Sequence, residues 1–182
     1  MENQLKVDAE ILKFLIGTCF GKYDDKYKMA ANRAYLDMNR TLHFHKMENL
    51  DRAELRNDVV LLLENKIKAF IRNKASCTQE DFDLWHFNIS DEIRNIYQKK
   101  NISFTYGQAQ KWINMMFKYL YILSEEGVLK ILKNLHVPLD RYIINAAYKG
   151  FGIMQPNCAW SKWDDYESQY LAYQKELRRH IS

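Results

Sequence analysis

The stretch FTYGQAQKWINMMFKYLYIL, residues 104–123, decides the fold that the rest of the chain must adopt. On a wheel of 3.6 residues per turn, apolar side chains cover most of the circumference and leave a polar sector about 120° wide. Apart from Gly107, that sector consists of Gln108, Lys111, Asn114 and Lys118, which we call the polar seam. The pattern predicts a largely buried central helix near residues 106–123 with one narrow polar side.

The polar seam has two interpretations. In the first, the apolar sector belongs to the core and the seam is the solvated edge of the helix, with lysine stems covering neighbouring apolar surface. In the second, the seam contacts a partner: its lysines bind phosphate, Asn114 forms hydrogen bonds and flanking rings serve as anchors. The sequence favours the first interpretation, and the four side chains of the seam remain candidate binding residues.

The chain around this helix is also predicted to be helical, as one compact all-α domain spanning residues 1–182. It contains two prolines and six glycines, too few for a series of tight β-turns, and apolar residues recur at intervals of three and four. Further helices are predicted from Asp8 to about Cys19, from about Asp24 into the forties, from Asp51 through Phe70, and from Pro138 through Ala147.

Polar residues mark the predicted helix starts. Asp51, Thr78, Thr105 and Ser161 are predicted N-caps, and Gln108 stands where a capping box with Thr105 requires Glu or Gln. The helix after Thr78 is predicted to be interrupted near Asn88 and Ser90. Gly150 is predicted to lie just beyond the end of the helix that begins at Pro138.

Composition narrows the class of protein further. The chain has 182 residues, 27 basic against 23 acidic residues and a formal charge of +4, which permits contact with nucleic acid without requiring it. Three widely spaced cysteines, Cys19, Cys77 and Cys158, predict free thiols in a reducing compartment, and hence a cytoplasmic protein. No apolar run approaches the length of about 20 residues that a membrane span needs.

The C-terminal segment combines an aromatic stripe with a basic end. Trp163, Tyr166, Tyr170, Tyr173 and Leu177 recur at helical spacing, which is typical of a face docked onto the core or onto a second subunit. The basic end contains Lys175, Arg178 and Arg179. It complements the helix dipole, and its adjacent arginines are also candidates for phosphate contact.

Several enzyme classes lack their signatures. The sequence contains no GxxxxGK[ST] or GxGxxG motif and no HExxH or zinc-like spacing of Cys and His, so we expect no nucleotide cofactor and no metal site. Neighbouring carboxylates such as Asp164 and Asp165 fall at predicted turns or helix starts, where solvation or capping explains them.

One local pattern does suggest catalysis. Arg40 and His45 form R-x-x-x-x-H near the end of a predicted helix, and this spacing resembles the motif of HEPN ribonucleases. Thr41 stands at the position after the arginine, where that motif usually has a residue such as Asn. The resemblance implies a metal-independent ribonuclease or toxin in which Arg40 stabilises phosphate charge and His45 transfers protons at a ribose 2′-hydroxyl.

A broader resemblance covers the C-terminal half. The stretches GQAQKWINMMFKYLYIL, HVPLDRYII and WSKWDDYESQYLAYQKEL resemble a set of small helical proteins of Gram-positive bacteria, their phages and mobile elements. In size and general character the chain is also similar to phage anti-CRISPR inhibitors of the type II effector nuclease. This likeness implies stoichiometric inhibition of the nuclease–guide RNA complex, with RNA or DNA contact included, and it assigns no individual residue.

Three functions follow from these patterns. The leading expectation is a non-enzymatic anti-defence protein that binds a guide-loaded type II CRISPR nuclease or another nucleoprotein. The alternatives are the HEPN-like ribonuclease with Arg40 and His45, and a structural homo-oligomer that buries the aromatic stripe between subunits. The candidate binding residues are the polar seam together with Lys175, Arg178 and Arg179.

Overall fold

The computed structural model describes residues 9–21, 25–44, 47–73 and 77–181, and within these ranges the chain forms eight α-helices and no strand. The helices are α1 (Ala9–Phe20), α2 (Lys26–Met38), α3 (Asn49–Asn73), α4 (Gln79–Gln98), α5 (Tyr106–Ile122), α6 (Glu126–Lys130), α7 (Arg141–Phe151) and α8 (Ala172–Ile181). A π-helical segment, Tyr166–Leu171, leads into α8, and 3₁₀ turns occupy Asn39–Thr41, Leu132–Asn134 and Trp160–Lys162. The predicted all-α fold is confirmed.

Helix α5 is the centre of the fold, as its apolar pattern predicted. Fourteen of its seventeen residues are buried, and it packs most extensively against α2 and then α4. Alanines on α2 allow a close approach: Ala30, Ala31 and Ala34 are fully buried, and the indole Nε1 of Trp112 donates a hydrogen bond to the Ala31 carbonyl at 2.9 Å. None of the helices in the described ranges has the length and apolarity needed to cross a membrane.

Two apolar clusters make up the interior. The larger one joins residues from α1 through α6, whereas the smaller one lies beneath α7, the π-helical segment and α8. The smaller cluster contains the whole aromatic stripe, namely Trp163, Tyr166, Tyr170, Tyr173 and Leu177, at 8% exposure or less. This stripe therefore packs onto the core of its own chain, which leaves none of the five side chains exposed to a second subunit.

The capping signals at two helix starts are confirmed. At α4 the Thr78 hydroxyl accepts the Asp81 amide at 3.1 Å while the Asp81 carboxylate accepts the Thr78 amide at 3.1 Å. At α5 the Gln108 amide donates to the Thr105 hydroxyl at 3.1 Å, and the Gln108 side chain accepts the Thr105 amide at 2.9 Å. Each box satisfies donors that a helix start leaves unpaired.

Other predicted boundaries are wrong. Helix α4 continues through Asn88 and Ser90, because Asn88 faces solvent and the buried Ser90 hydroxyl lies 3.4 Å from the Nδ1 atom of His86, one turn earlier. Helix α3 begins at Asn49, which places Asp51 inside its first turn. The predicted starts at Asp8 and Asp24 lie outside the described residues.

The last two helical regions begin later than predicted. The Asp140 carboxylate caps α7 by accepting the amides of Tyr142 and Ile143 at 2.9 and 3.0 Å, so the helix does not start at Pro138. It ends at Phe151 and is capped by Gly152, whose φ of 72° suits glycine, and Gly150 lies within the helix.

The final helical region does not start at Ser161, which lies in a 3₁₀ turn. It is instead capped by Asp165, whose carboxylate accepts the Ser168 amide at 2.9 Å. The side chain of Gln169 accepts the amides of Asp164 and Asp165, so these donors are satisfied just before the helical region begins.

Candidate nucleic-acid interface

A polar cleft lies where the 3₁₀ turn after α2, the loop before α5 and the 3₁₀ turn Trp160–Lys162 meet. Its volume is about 690 Å³, within the range typical of ligand sites. It is lined by Arg40, Thr41, His43, Asn101, Ser103, Thr105, Gln108, Ser161, Lys162 and Asp164. Every one of these side chains is polar, so the cleft suits a charged, hydrated ligand. We call it the Arg40 cleft.

The α5 capping box builds one wall of the Arg40 cleft. The side-chain amide of Gln108 donates to the carbonyl and the hydroxyl of Thr41, at 2.7 and 3.1 Å. The Thr105 hydroxyl donates to the Ser161 carbonyl at 2.9 Å. The start of α5 therefore holds both 3₁₀ turns, and with them the backbone from which Arg40 and Lys162 project.

The charges of the Arg40 cleft are unbalanced. Arg40, His43 and Lys162 are exposed, and neither Arg40 nor Lys162 forms an ion pair with a described residue. Asp164 is the acidic residue of the lining, but its carboxylate accepts a hydrogen bond from Arg94 at 2.6 Å. Lys99 and Lys100 are exposed next to Asn101 and add positive charge at the edge of the cleft. The field in this cleft favours an anion.

Of the predicted Arg40–His45 pair, only Arg40 lies within the described residues. Arg40 lies on the wall of the cleft, whereas His45 is outside the described residues. His43, the other histidine of the LHFH sequence, lines the same cleft as Arg40. That Arg40 and His45 act together stays a prediction.

Three members of the polar seam are buried rather than solvated. Gln108, Lys111 and Asn114 are 5%, 5% and 2% exposed, so the interpretation of the seam as a solvated edge is wrong for them. The reason is that each finds a polar partner inside the chain: Gln108 bonds Thr41, and the Lys111 ammonium lies 2.7 Å from the Asp140 carboxylate. Lys118 alone of the four is exposed and remains able to contact a partner.

The basic end of α8 is also engaged within the chain. The Arg178 guanidinium binds both oxygens of the Asp83 carboxylate, at 2.8 and 3.3 Å, and Arg179 lies 2.6 Å from Glu176 at the surface. Arg178 and Lys175 line a separate cavity of about 470 Å³, together with Asp83. Since acidic partners offset these arginines, the Arg40 cleft has a greater excess of positive charge.

A buried polar network that sequence reasoning missed lies between the two apolar clusters, in contact with Phe82 of the larger one and Tyr170 of the smaller one. The Nε2 atom of His136 donates to the Asp83 carboxylate at 2.7 Å, and the Tyr170 hydroxyl donates to His136 Nδ1 at 2.7 Å. The amide nitrogen of Asn114 donates in turn to the Tyr170 hydroxyl at 2.8 Å. The amide oxygen of Asn114 accepts from His86 Nε2 at 3.1 Å.

Burial sets the protonation states of this network. It lowers the pKa of His86 well below the usual value, and the neighbouring His136 lowers it further. Burial also lowers the pKa of His136, against the opposing influence of Asp83. Burial would raise the pKa of Asp83, but hydrogen bonds from His136 and Arg178 hold it far below its usual range. The network is thus a neutral histidine pair attached to a charged carboxylate.

The network is enclosed, and its role is to join the clusters. His86 is 0% and His136 4% exposed, so a substrate cannot reach their rings. One signal in the sequence could have indicated this network. His86 lies between Phe82 and Ile89 on the face of α4 that apolar periodicity predicts to be buried, and Asp83 lies three residues before His86.

Among the described residues no group of three or more His, Cys, Asp or Glu side chains could hold a metal ion. Comparisons of the chain with protein-family models, with curated proteins and with solved structures each found no significant match. The chemistry of its own residues is therefore the basis for inferring its function.

Proposed function

We propose that the protein is a non-enzymatic binding protein for a nucleic acid or nucleoprotein, with the Arg40 cleft as the contact site. One observation carries this proposal: Arg40 and Lys162 reach a polar cleft where neither has a carboxylate partner among the described residues. A guanidinium and an ammonium group without a partner are strong ligands for phosphate oxygens. The hydroxyl and amide groups around them can bind the sugar or further phosphate oxygens.

The resemblance of the sequence to anti-CRISPR inhibitors suggests a specific partner. On this proposal the protein binds a guide-loaded type II CRISPR nuclease as a stoichiometric inhibitor, and the Arg40 cleft contacts a phosphate backbone in that complex. Lys118 and Lys175, both exposed, are the members of the predicted binding set that remain available for additional contacts.

The first test measures nucleic-acid binding directly. Fluorescence anisotropy with labelled single-stranded RNA and DNA compares the wild type with the Arg40→Glu/Lys162→Glu variant. The matched control is Lys130→Glu/Lys133→Glu, which makes the same charge change at two exposed lysines near the opposite end of α5. We expect the cleft variant to bind more weakly. The slope of log K against log salt concentration should fall in magnitude by about 0.7 for each lost phosphate contact, the value for single strands. Equal loss in both variants would refute the role of the cleft.

The second test addresses the nuclease. Purified protein is mixed with several guide-loaded type II nucleases, and association and target-DNA cleavage are measured. Inhibition by the wild type and its loss in the Arg40→Glu/Lys162→Glu variant are expected. If the wild type neither associates with any of them nor protects target DNA, the anti-CRISPR form of the proposal is abandoned, while nucleic-acid binding is judged by the anisotropy result.

A ribonuclease is the second candidate, favoured by the position of Arg40 on the wall of a polar cleft. It predicts that the wild type cleaves RNA without metal and that Arg40→Ala and His45→Ala each abolish cleavage while the far-ultraviolet circular dichroism spectrum is retained. Because His43 lines the same cleft, His43→Ala is the matched control. RNA that stays intact with wild-type protein, or cleavage that persists in both variants, would eliminate this candidate.

A further inference from the structure

A second basic cavity lies between α2 and α3. Its volume is about 290 Å³, and it is lined by Lys28, Asn32, Arg56, Asn57, Val60 and Leu61. No carboxylate is part of that lining, and neither Lys28 nor Arg56 forms an ion pair with a described residue. The Arg56 guanidinium lies over the Tyr35 ring at 5.7 Å, and its buried Nε has no hydrogen-bond partner among the described residues. We call this the Arg56 cavity.

One ridge of α2 connects the Arg56 cavity to the Arg40 cleft. Lys28, Asn32, Leu36 and Arg40 follow one another at intervals of four, so they form a ridge that turns by about 40° per step around α2 and continues into the 3₁₀ turn. Lys28, Leu36 and Arg40 are exposed and Asn32 is half-buried. At 1.5 Å per residue, Lys28 and Arg40 lie about 18 Å apart along this ridge.

We propose that the Arg56 cavity is a second phosphate site and that one single strand of nucleic acid occupies it together with the Arg40 cleft. This inference rests on the proposed function of the cleft. A stacked strand advances about 3.4 Å per nucleotide, so about five nucleotides span the ridge. A single strand can bend into two concave sites, whereas a stiff duplex presents its phosphates on a convex surface.

The test uses strand length. A dinucleotide is too short to reach both sites, whereas a twelve-nucleotide strand covers both. Oligouridine and oligothymidine of each length are titrated against the full chain, with anisotropy for the long strand and NMR chemical shifts for the short one. The variants are Lys28→Glu, Arg56→Gln and Arg40→Glu. Lys130→Glu is the control for a charge reversal at an exposed lysine.

The expected result separates the two sites. Lys28→Glu and Arg56→Gln should each weaken binding of the twelve-nucleotide strand about tenfold, the typical loss of one charged hydrogen bond. Dinucleotide binding at the Arg40 cleft, followed by the chemical shifts of the cleft residues, should stay as in the wild type. Arg40→Glu should weaken both lengths. Lys28→Glu keeps the test valid if Arg56→Gln fails to fold, since the Lys28 side chain is exposed.

Three outcomes would overturn the inference. In the first, Lys28→Glu and Lys130→Glu have equal affinity for the long strand. In the second, Lys28→Glu weakens binding of both lengths by the same factor, which indicates long-range charge alone. In either case a loss from Arg40→Glu leaves the proposed function standing. In the third outcome Arg40→Glu has no effect on either length, and both the cleft and the second site are then rejected.

Discussion

Gly107 provides the sharpest test of how the Arg40 cleft is assembled. It is the second residue of α5, is buried, and donates its amide to the Trp163 carbonyl at 3.0 Å. A Cβ atom at this position would lie 1.7 Å from the Trp160 carbonyl oxygen and 2.8 Å from its carbon. Both are backbone atoms of the 3₁₀ turn that carries Lys162, so a side-chain rotation cannot relieve the clash.

The cost of Gly107→Ala follows from this geometry. Real Cβ atoms essentially never approach a neighbour closer than 3.0 Å, so α5 and the turn must separate by more than about 1 Å. That separation breaks the Gly107–Trp163 bond and the bond from the Thr105 hydroxyl to the Ser161 carbonyl, each worth about 1 kcal/mol. Overpacking costs about 1–3 kcal/mol and the higher helix propensity of alanine returns about 1 kcal/mol. We expect a net loss of about 2–4 kcal/mol in the free energy of unfolding.

Urea denaturation followed by far-ultraviolet circular dichroism measures this loss. The matched control is Gly150→Ala in α7, where a new Cβ atom meets nothing within 4 Å. Because alanine favours the helix, the control should be stabilised by up to about 1 kcal/mol. If Gly107→Ala is as stable as the wild type while Gly150→Ala gains stability, the close packing of α5 against the Trp160 turn is refuted.

Two further predictions concern the buried polar groups. Burial lowers the folded-state pKa of His86 and of His136. As pH falls below about 6.5, the unfolded chain therefore binds protons before the folded chain does. The free energy of unfolding should then decrease by up to about 1.4 kcal/mol per pH unit for each histidine. Urea titrations at pH 7.5 and 5.5 measure this, and equal stabilities at the two values would contradict it. Lys111→Met leaves the Asp140 carboxylate without its ion pair and should cost about 2 kcal/mol, since Lys111 is buried and Asp140 half-buried. Lys118→Met, at the exposed end of the same seam, should change the free energy of unfolding by less than about 0.5 kcal/mol. Equal effects of the two substitutions would show that the Lys111–Asp140 ion pair contributes nothing to stability.

The features that the sequence predicts correctly are local ones. The Thr78 cap and the Thr105–Gln108 box depend on residues three apart, and both form as expected. The burial of α5 depends on the breadth of its own apolar sector and is likewise confirmed. Such features need no knowledge of which other segment packs against the helix.

The features that the sequence does not predict depend on residues far apart in the chain. A helical wheel shows that Lys111 is polar, but its carboxylate partner Asp140 stands 29 residues later in the chain. The network of His86 and His136 joins α4 to α5, to the loop before α7 and to the π-helical segment, with separations of 28 to 84 residues. A helical wheel therefore predicts solvation for polar residues on a buried face, because their partners can be identified only from the tertiary structure.

The buried polar seam fixes the rotation of α5 about its own axis, and this orientation is needed to form the wall of the Arg40 cleft. Rotating α5 by one residue, about 100°, would remove Gln108 from Thr41 and Lys111 from Asp140 and leave buried polar groups unpaired, at about 1–3 kcal/mol for each group. Since the bond from Gln108 also positions the turn that carries Arg40, a helix that is free to rotate would lose the cleft wall. On the proposed function, Gln108 and Lys111 therefore act without touching the nucleic acid: they position the backbone from which Arg40 reaches it.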